Sequence, residues 1–245
     1  MDSMSAPTTL ELLWSGSPRP KRGPKPSLSL ERIVTEAIAL ADTDGLASLS
    51  MQRLAERLGC AKMALYRYVP GKAELTALML DAAMGPAPTP PEQGGAGAGA
   101  EPYWRVALRA WAVAVFEQMR AHPWVHEVAV GVRPLGPYEV GWFEAGLEPL
   151  GDSGLSGGER LDALALLSGH ARSLAQQVRS VGGEDLEDGM TRQLGETLAA
   201  HADRYPATIA AFAESDAPGD RNNALHFGID RILDGLGVLI SRHRE

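Results

Sequence analysis

The feature that most constrains the fold of this chain is a repeat of apolar residues at helical spacing, interrupted by one run rich in proline, glycine and alanine. The run occupies residues 85–101. On both sides of it, apolar side chains recur three and four positions apart, as in a helix with one buried face. Only residues 125–132 have the composition of a strand. The pattern therefore predicts an all-α protein in which a linker joins two helical regions.

Turn formers and capping residues divide the chain further. In the N-terminal region, Ser29 and Ser50 are candidate N-caps, and Gly45 and Gly59 are candidate C-caps of the helices that these serines begin. The same signals predict further helices over 61–68, 72–84, 104–118, 138–150, 157–181, 190–202, 206–213 and 222–242. We expect four segments: a flexible basic tail (1–28), a head of helices (29–84), the linker (85–101) and a larger helical domain (102–245).

The tail contains a short apolar group before its proline-rich stretch. Leu10, Leu12, Leu13 and Trp14 form this group. Two interpretations remain open at the sequence level: the group docks on the folded body, or it belongs to a disordered end. The turn formers that follow it favour a flexible tail.

Charge is distributed unevenly along the chain. The net charge is −8, yet residues 19–72 hold ten Lys or Arg against five Asp or Glu, and residues 86–245 hold 13 Arg against 22 acidic residues. A basic N-terminal segment on an acidic body is typical of a phosphate-binding module. The alternative is a chance asymmetry between two solvated surfaces.

Composition excludes several other classes of protein. The single cysteine, Cys60, excludes an internal disulfide framework and a multi-cysteine metal site. No run approaches 18 apolar residues, and the first residues lack the positive charge of a secretory signal. We therefore expect a cytoplasmic protein without a membrane partner.

Residues 50–68 have the spacing of a helix-turn-helix. Ala55 is small where two helices would cross, Gly59 can adopt the positive φ of a sharp turn, and Leu65 returns to the core. Such a unit places its second helix in the major groove of DNA. The outward residues of that helix and the start of the next are suited to phosphates and base edges, and they are Lys62, Met63, Ala64, Tyr66, Arg67, Tyr68 and Lys72. The alternative is an ordinary αα-hairpin within a helical core.

Residues 50–72, with Leu65-Tyr66-Arg67-Tyr68-Val69-Pro70-Gly71-Lys72-Ala73-Glu74-Leu75, resemble the DNA-binding head of TetR-family transcriptional repressors. Residues 227–236 are similar to the final helix of the tetracycline-repressor-like C-terminal domain. Carried over by position, the resemblance implies DNA contacts at Met51, Gln52, Lys62, Met63, Ala64, Tyr66, Arg67, Tyr68 and Lys72. Arg67-Tyr68 stand where tetracycline repressors have Trp and His, and Met51 and Met63 replace polar or proline residues. A different operator is therefore expected.

The basic part of the tail precedes the head directly. Its charges are Arg19, Lys21, Arg22 and Lys25. Flexible basic arms of this kind enter the minor groove beside the bound helix. The alternative is a solvated tail whose charges serve solubility.

The larger domain offers surfaces for dimerisation. A lone head binds DNA weakly, whereas two heads on one dimer reach two half-sites. Small and apolar residues on helices 157–181 and 222–242 predict an intermolecular four-helix bundle, with contacts at Ser168, Ala171, Ala175, Ile229, Ile232 and Leu236. The alternative is that both stripes are core within one chain.

The same domain contains a candidate site for a small molecule. Leu166, His170, Ser173 and Gln177 form a half-polar stripe that needs partners if it is buried. Together with aromatic and apolar residues elsewhere, the stripe predicts a pocket lined by Trp111, Val115, Met119, Trp124, Tyr138, Trp142, His170, Ser173 and Gln177. The alternative is a plain core with a hydrogen-bonded His170. The resemblance implies an inducer site here.

Motifs for catalysis are missing from the sequence. It contains no Gly-x-Ser-x-Gly elbow and no P-loop. His122, His126 and Glu127 lie close in sequence, but Pro123 and the lack of another ligand disfavour zinc. We expect no enzyme, no catalytic or metal-ligating residue and no cofactor. The prediction is a ligand-responsive transcriptional regulator that acts as a repressor and binds a palindromic operator as a homodimer. The alternatives are a helical protein-interaction module and a metal sensor without specific DNA binding.

Overall fold

A computed structural model describes residues 7–14, 28–91, 101–180, 195, 202–215 and 223–244. Within these ranges the chain forms α-helices and short 3-10 turns, and no strand. Residues 125–132, predicted as strand-like, instead begin with a short helix. None of the helices in the described ranges is long and apolar enough to cross a membrane.

The head is built by helices that begin and end as their local sequence dictates. These helices are α1 (Thr9–Trp14), α2 (Leu30–Asp44), α3 (Met51–Leu58), α4 (Lys62–Leu65) and α5 (Lys72–Met84). The hydroxyl of Ser29 accepts the backbone N–H of Arg32, and that of Ser50 accepts the N–H of Arg53, each at 3.2 Å. Both N-cap predictions are thereby confirmed. The buried core of the head lies between these helices.

Part of the tail is a docked helix. The short helix α1 packs on α5, and Leu13 is 7% exposed within the head's core. The indole Nε1 of Trp14 donates to the carbonyl oxygen of Leu135 at 2.9 Å, which ties this helix to the larger domain. The prediction of a flexible tail is therefore wrong for residues 9–14, because burial of Leu13 outweighs the turn formers that follow it.

The larger domain, which we call the body, contains longer helices. They are α6 (Tyr103–Ala121), α7 (Val125–Val128), α8 (Pro137–Leu147), α9 (Gly157–Ser180), α10 (Pro206–Ser215) and α11 (Asn223–His243). At the centre of the body, α6 packs along α9, and α9 packs along α11. Leu108, Leu167 and Ile229 are fully buried where these three helices meet. The helix predicted over 190–202 lies almost wholly outside the described residues.

Two glycines allow close packing inside the body. A Cβ at Gly146 would lie 2.7 Å from a methyl of Leu164, and one at Gly228 would lie 2.2 Å from the ring of His170. Neither position has room for a side chain. The outer edge of α6 is tied to α11 by ion pairs of Arg109, which contacts Glu101 and Asp230.

Residues 85–91 differ from a free linker. Ala87 packs against the core of the body, and Pro88 and Pro91 lie beside Trp111. The predicted linker therefore begins as a segment laid on the body rather than as a tether.

Candidate DNA interface and effector site

The turn between α3 and α4 has the geometry of a helix-turn-helix. Gly59 adopts φ +67°, in the left-handed region that favours glycine. The N–H of Cys60 donates to the carbonyl oxygen of Ala55 at 3.0 Å, which closes α3. Leu65 is fully buried, so the opposite side of α4 faces solvent.

The outward side of α4 and its flanks carry most of the predicted DNA contacts. Met63 is 72% exposed, and Lys62, Tyr66 and Arg67 are exposed beside it. The ammonium of Lys62 lies 5.9 Å from the centroid of the Tyr66 ring. Exposed residues also include Gln52 and Lys72, and Ala64 is half-buried. The structure thus brings a cation, an aromatic ring and a thioether onto one small convex surface.

Two residues predicted to contact DNA, Met51 and Tyr68, are less exposed than the others. Met51 is 7% exposed and packs in the core of the head, because the first turn of α3 faces its neighbours. The hydroxyl of Tyr68 donates to the carbonyl oxygen of Leu28 at 3.0 Å, and its side chain is half-buried. Both side chains therefore help to hold the head together. The prediction that Met51 faces DNA is wrong, because it is buried, whereas the half-buried Tyr68 stays a predicted contact.

Ion pairs that sequence reasoning missed set the angle of α3. Arg53 binds Asp44 at 2.6 Å, and Arg57 binds Glu36 at 2.5 Å. Both acids lie on α2, so these arginines serve the packing of two helices rather than a ligand. Arg53 and Arg57 are four residues apart on α3, and Glu36 and Asp44 are eight residues apart on α2. Each spacing places its two side chains on similar sides of a helix, which is the sequence signal for these ion pairs.

The head is joined to the body by the side chain of Asp81. This residue of α5 is buried, and its carboxylate accepts the N–H of Glu139, in the first turn of α8, at 3.0 Å. A Cβ at Gly136 would lie 2.1 Å from Asp81 Cγ, so the contact requires glycine there. Burial raises the pKa of the Asp81 carboxyl, while the N–H of Glu139 acts in the opposite direction.

A second joint fixes the end of α5. The indole Nε1 of Trp142 donates to the carbonyl oxygen of Gly85 at 3.0 Å and to that of Met84 at 3.2 Å. Gln118 donates to the same Met84 oxygen at 2.9 Å. These bonds satisfy carbonyls that the end of a helix leaves without partners. Helix α8 therefore holds α5 at two places.

A third joint lies at the other side of the head. The carboxylate of Asp42, on α2, accepts the indole N–H of Trp124 at 2.6 Å and lies 2.9 Å from Nδ1 of His122. Trp124 is 1% exposed and belongs to the core of the head. The prediction that it lines a pocket of the body is therefore wrong.

The other predicted pocket residues divide into two groups. Trp111, Val115, Met119 and Trp142 are buried together, and the two indole rings meet edge to face at 6.4 Å. The remaining four residues do not join them. His170 is turned to α11, where its Nε2 donates to the carbonyl oxygens of Ala224 and Leu225, and the exposed residues are Tyr138, Ser173 and Gln177.

Two openings border the body. One is a void of about 10 Å³ between residues 88–91 and the side chains of Trp111 and Ala145. The other is a cleft of about 300 Å³ lined by the start of α6, residues 148–153 and Arg244. Among the described residues, no group of three His, Cys, Asp or Glu side chains is placed to hold a metal ion.

Comparison with known sequences identifies the fold. The family pattern described as "Bacterial regulatory proteins, tetR family" matches residues 33–79. The pattern described as "Tetracyclin repressor-like, C-terminal domain" matches residues 98–240, more than half of the chain. This chain belongs to the TetR family of transcriptional regulators.

Individual TetR-family relatives match most of the chain. The HTH-type transcriptional repressor DrrR1 of Streptomyces coeruleorubidus is 39% identical over 245 residues, covering 96% of this chain and 87% of the relative. An HTH-type transcriptional regulator of Saccharopolyspora erythraea is 32% identical over 189 residues, covering 77% and 76%. Apo ActR from Streptomyces coelicolor has the same fold, with a TM-score of 0.73 at 23% identity, covering 89% of this chain and 99% of ActR.

The residues predicted for a TetR-family dimer interface are mostly inside one protomer. Ala171, Ala175, Ile229 and Leu236 are buried in the body's own core, and Ser168 and Ile232 are half-buried. Among the side chains that the structure describes on α9 and α11, the large apolar ones that are exposed are Leu161, Leu166, Phe227 and Val238. The sequence pattern selected core residues because helical spacing shows that a face is buried, but not whether it is buried within one chain or between two.

Proposed function

We propose that this TetR-family regulator is a homodimeric repressor that binds a palindromic operator and is released by a small molecule. The observation that carries the proposal is the exposed side of α4, which the Gly59 turn presents to solvent with Lys62 and Arg67 on it. The 39% identity of the chain to a transcriptional repressor supports a role in repression. In this function the chain acts in the cytoplasm, where DNA is accessible, and catalyses no reaction.

The recognition helix supplies two kinds of contact. Lys62 and Arg67 meet phosphates or guanine edges, and Met63 and Ala64 meet thymine methyl groups. Tyr66 stacks beside Lys62 and donates its hydroxyl to a phosphate. Gln52 and Lys72 contact the backbone from the helices on either side of α4. Phosphate contacts set the register, and the contacts to base edges select the sequence.

Dimerisation places two copies of this helix on one face of the duplex. Half-sites of such operators lie about 34 Å apart, one turn of B-DNA. We assign the dimer surface to α9 and α11, because these helices expose the large apolar side chains of Leu161, Leu166, Phe227 and Val238. Arg19, Lys21, Arg22 and Lys25 lie outside the described residues, and we propose that they enter the adjacent minor groove.

Release by an effector needs a body that can exist in two states. A crystal structure of ActR contains actinorhodin, and ActR shares the fold of this chain with a TM-score of 0.71 at 24% identity. We assign the effector to the side of the body that holds Trp111 and Trp142, where the two indole rings lie in an apolar cluster. An effector lowers DNA affinity only by the extent to which it prefers the released state.

A selection of bound duplexes from a random pool tests this function. The expected product is an inverted repeat that binds two protomers, with an affinity that falls steeply as salt rises. A metabolite screen on the selected duplex then identifies the effector by loss of the shifted band. Recovery of no preferred sequence at low salt contradicts the proposal and favours a helical protein-interaction module.

A further inference from the structure

Residues 86–91, which we call the strap, follow α5 directly and lie across α6 and α8. Four of the six strap residues are proline. The proline ring fixes φ near −65° and removes the backbone N–H, so the strap is stiff and contributes few hydrogen-bond donors. The surface beneath it is formed by Ala107, Ala110, Trp111 and Ala145.

Apolar contact holds the strap in place. Across the described ranges, no hydrogen bond joins residues 86–91 to the rest of the chain. The void beneath the strap measures about 10 Å³, at the lower limit for a single water molecule. Lifting the strap therefore breaks no hydrogen bond within these ranges. Opening the body between α6 and α9 instead separates fully buried side chains such as Leu108 and Leu167.

The surface beneath the strap selects for one ligand chemistry. Its three alanines present only methyl groups, and the indole N–H of Trp111 is already donated to the carbonyl oxygen of Trp142 at 2.9 Å. No charged side chain lines the void. A flat, uncharged aromatic face fits such a surface, because charged or strongly polar groups would lose hydration there without gaining a partner.

The strap is also connected to the head through one residue. Gly85 adopts φ +59° between α5 and the strap, and its carbonyl oxygen is held by Trp142. A movement of the strap acts at this glycine on the end of α5. The same helix carries Asp81, whose carboxylate joins the head to α8.

We propose that the strap is the displaceable cover of the effector site, and that the effector inserts a flat, uncharged aromatic face between the strap and Ala107, Ala110, Trp111 and Ala145. The inference rests on the proposed function, because it names the site and ligand class of the effector response. Insertion lifts the strap, shifts the end of α5 and moves the head away from its DNA-binding position.

A covalent lock on the strap tests the proposal. In a Cys60→Ser background, which removes the only natural cysteine, Pro88→Cys and Ala145→Cys are bridged with a short bis-maleimide, and the bridge is verified by mass spectrometry. The probe is Nile red, a flat uncharged dye whose emission rises in apolar surroundings. A matched control carries Glu117→Cys and Arg120→Cys, an exposed pair on α6, treated with the same reagent.

The expected result is at least a tenfold weaker Kd for Nile red in the locked protein and no change in the control. A second variant, Pro90→Gly with Pro91→Gly, loosens the strap and is expected to strengthen dye binding several-fold. Equal dye binding in locked, loosened and control proteins overturns the proposal, as does failure of the bridge to form. Operator binding by band shift is measured on the same samples: its absence in the unlocked protein refutes the proposed function, whereas operator binding with unchanged dye binding refutes only the strap.

Discussion

The carboxylate of Asp81, in the last helix of the head, accepts the backbone N–H of Glu139, in the first turn of α8, at 3.0 Å. One head side chain thus caps a body helix and satisfies an N–H group that the start of that helix leaves without a partner. Movement of α8 is therefore transmitted to the helix that carries the head.

Replacing Asp81 by alanine is expected to lower the free energy of unfolding by about 1–3 kcal/mol, because the buried N–H of Glu139 loses its acceptor. Chemical denaturation at pH 7 measures the change. The control is Asp152→Ala, which replaces an exposed aspartate of the body. Equal, small effects of both substitutions would mean that the cap does not hold α8.

The pH dependence of stability is expected to differ between wild type and Asp81→Asn. Burial raises the pKa of Asp81 in the folded state above the unfolded value, so the folded state keeps its proton to higher pH. The contribution of this group to the free energy of unfolding is therefore full below about pH 4, the ordinary value for Asp, and is lost as pH rises through the folded-state pKa. Denaturation at a series of pH values checks this: wild type should lose stability relative to Asp81→Asn across that window, and parallel curves contradict it.

Lys62→Ala and Arg67→Ala are expected to weaken operator binding while leaving Tm nearly unchanged, because both side chains are exposed. Loss of one phosphate contact reduces the salt slope by about 1, whereas loss of a base contact costs about 1–3 kcal/mol and relaxes specificity at one position. Band shifts over a salt series distinguish the two roles. Arg120→Ala, on the exposed side of α6, is the control. A large fall in Tm would place these residues in the core.

Two methionines of the helix-turn-helix are expected to respond in opposite ways. Met51→Ala removes a buried side chain and should cost about 2–5 kcal/mol of stability, while Met63→Ala should leave stability within about 0.5 kcal/mol. Met63→Ala should instead change the preferred operator, which a repeated selection from the random pool detects. The reverse outcome would mean that α3 and α4 are oriented differently.

Phe227→Asp and Leu166→Asp are expected to give folded monomers, because these side chains are about 60% exposed on α11 and α9. Light scattering measures the mass, and circular dichroism verifies the fold. Val132→Asp, a fully exposed residue away from these helices, should remain dimeric. Dimers in all three variants would place the interface elsewhere. Ile229→Asp, in contrast, is expected to unfold the protomer, since Ile229 is buried within one chain.

Much of the head could be predicted from sequence because its signals are local. The hydroxyl of Ser29 needs only an N–H three residues further on, and the φ of Gly59 needs only the absence of a Cβ. The candidate site was less predictable. Trp124 and Trp142 are both apolar and near turns, yet Trp124 lies in the core of the head and Trp142 in the core of the body. The indole N–H of Trp124 donates to Asp42, and that of Trp142 donates to the carbonyl oxygen of Gly85, at the end of α5.

The sequence by itself determined the helices, the turn between α3 and α4, and the excess of positive charge in residues 19–72. Tertiary structure decided which face of each helix is available to a partner: it buried Met51 and exposed Met63, enclosed Ile229 and left Phe227 in solvent. The physical reason is the distance along the chain between the residues that interact. Caps and helical period arise from residues a few positions apart, whereas burial depends on which distant helix packs against a given face, and that choice is made by the chain as a whole.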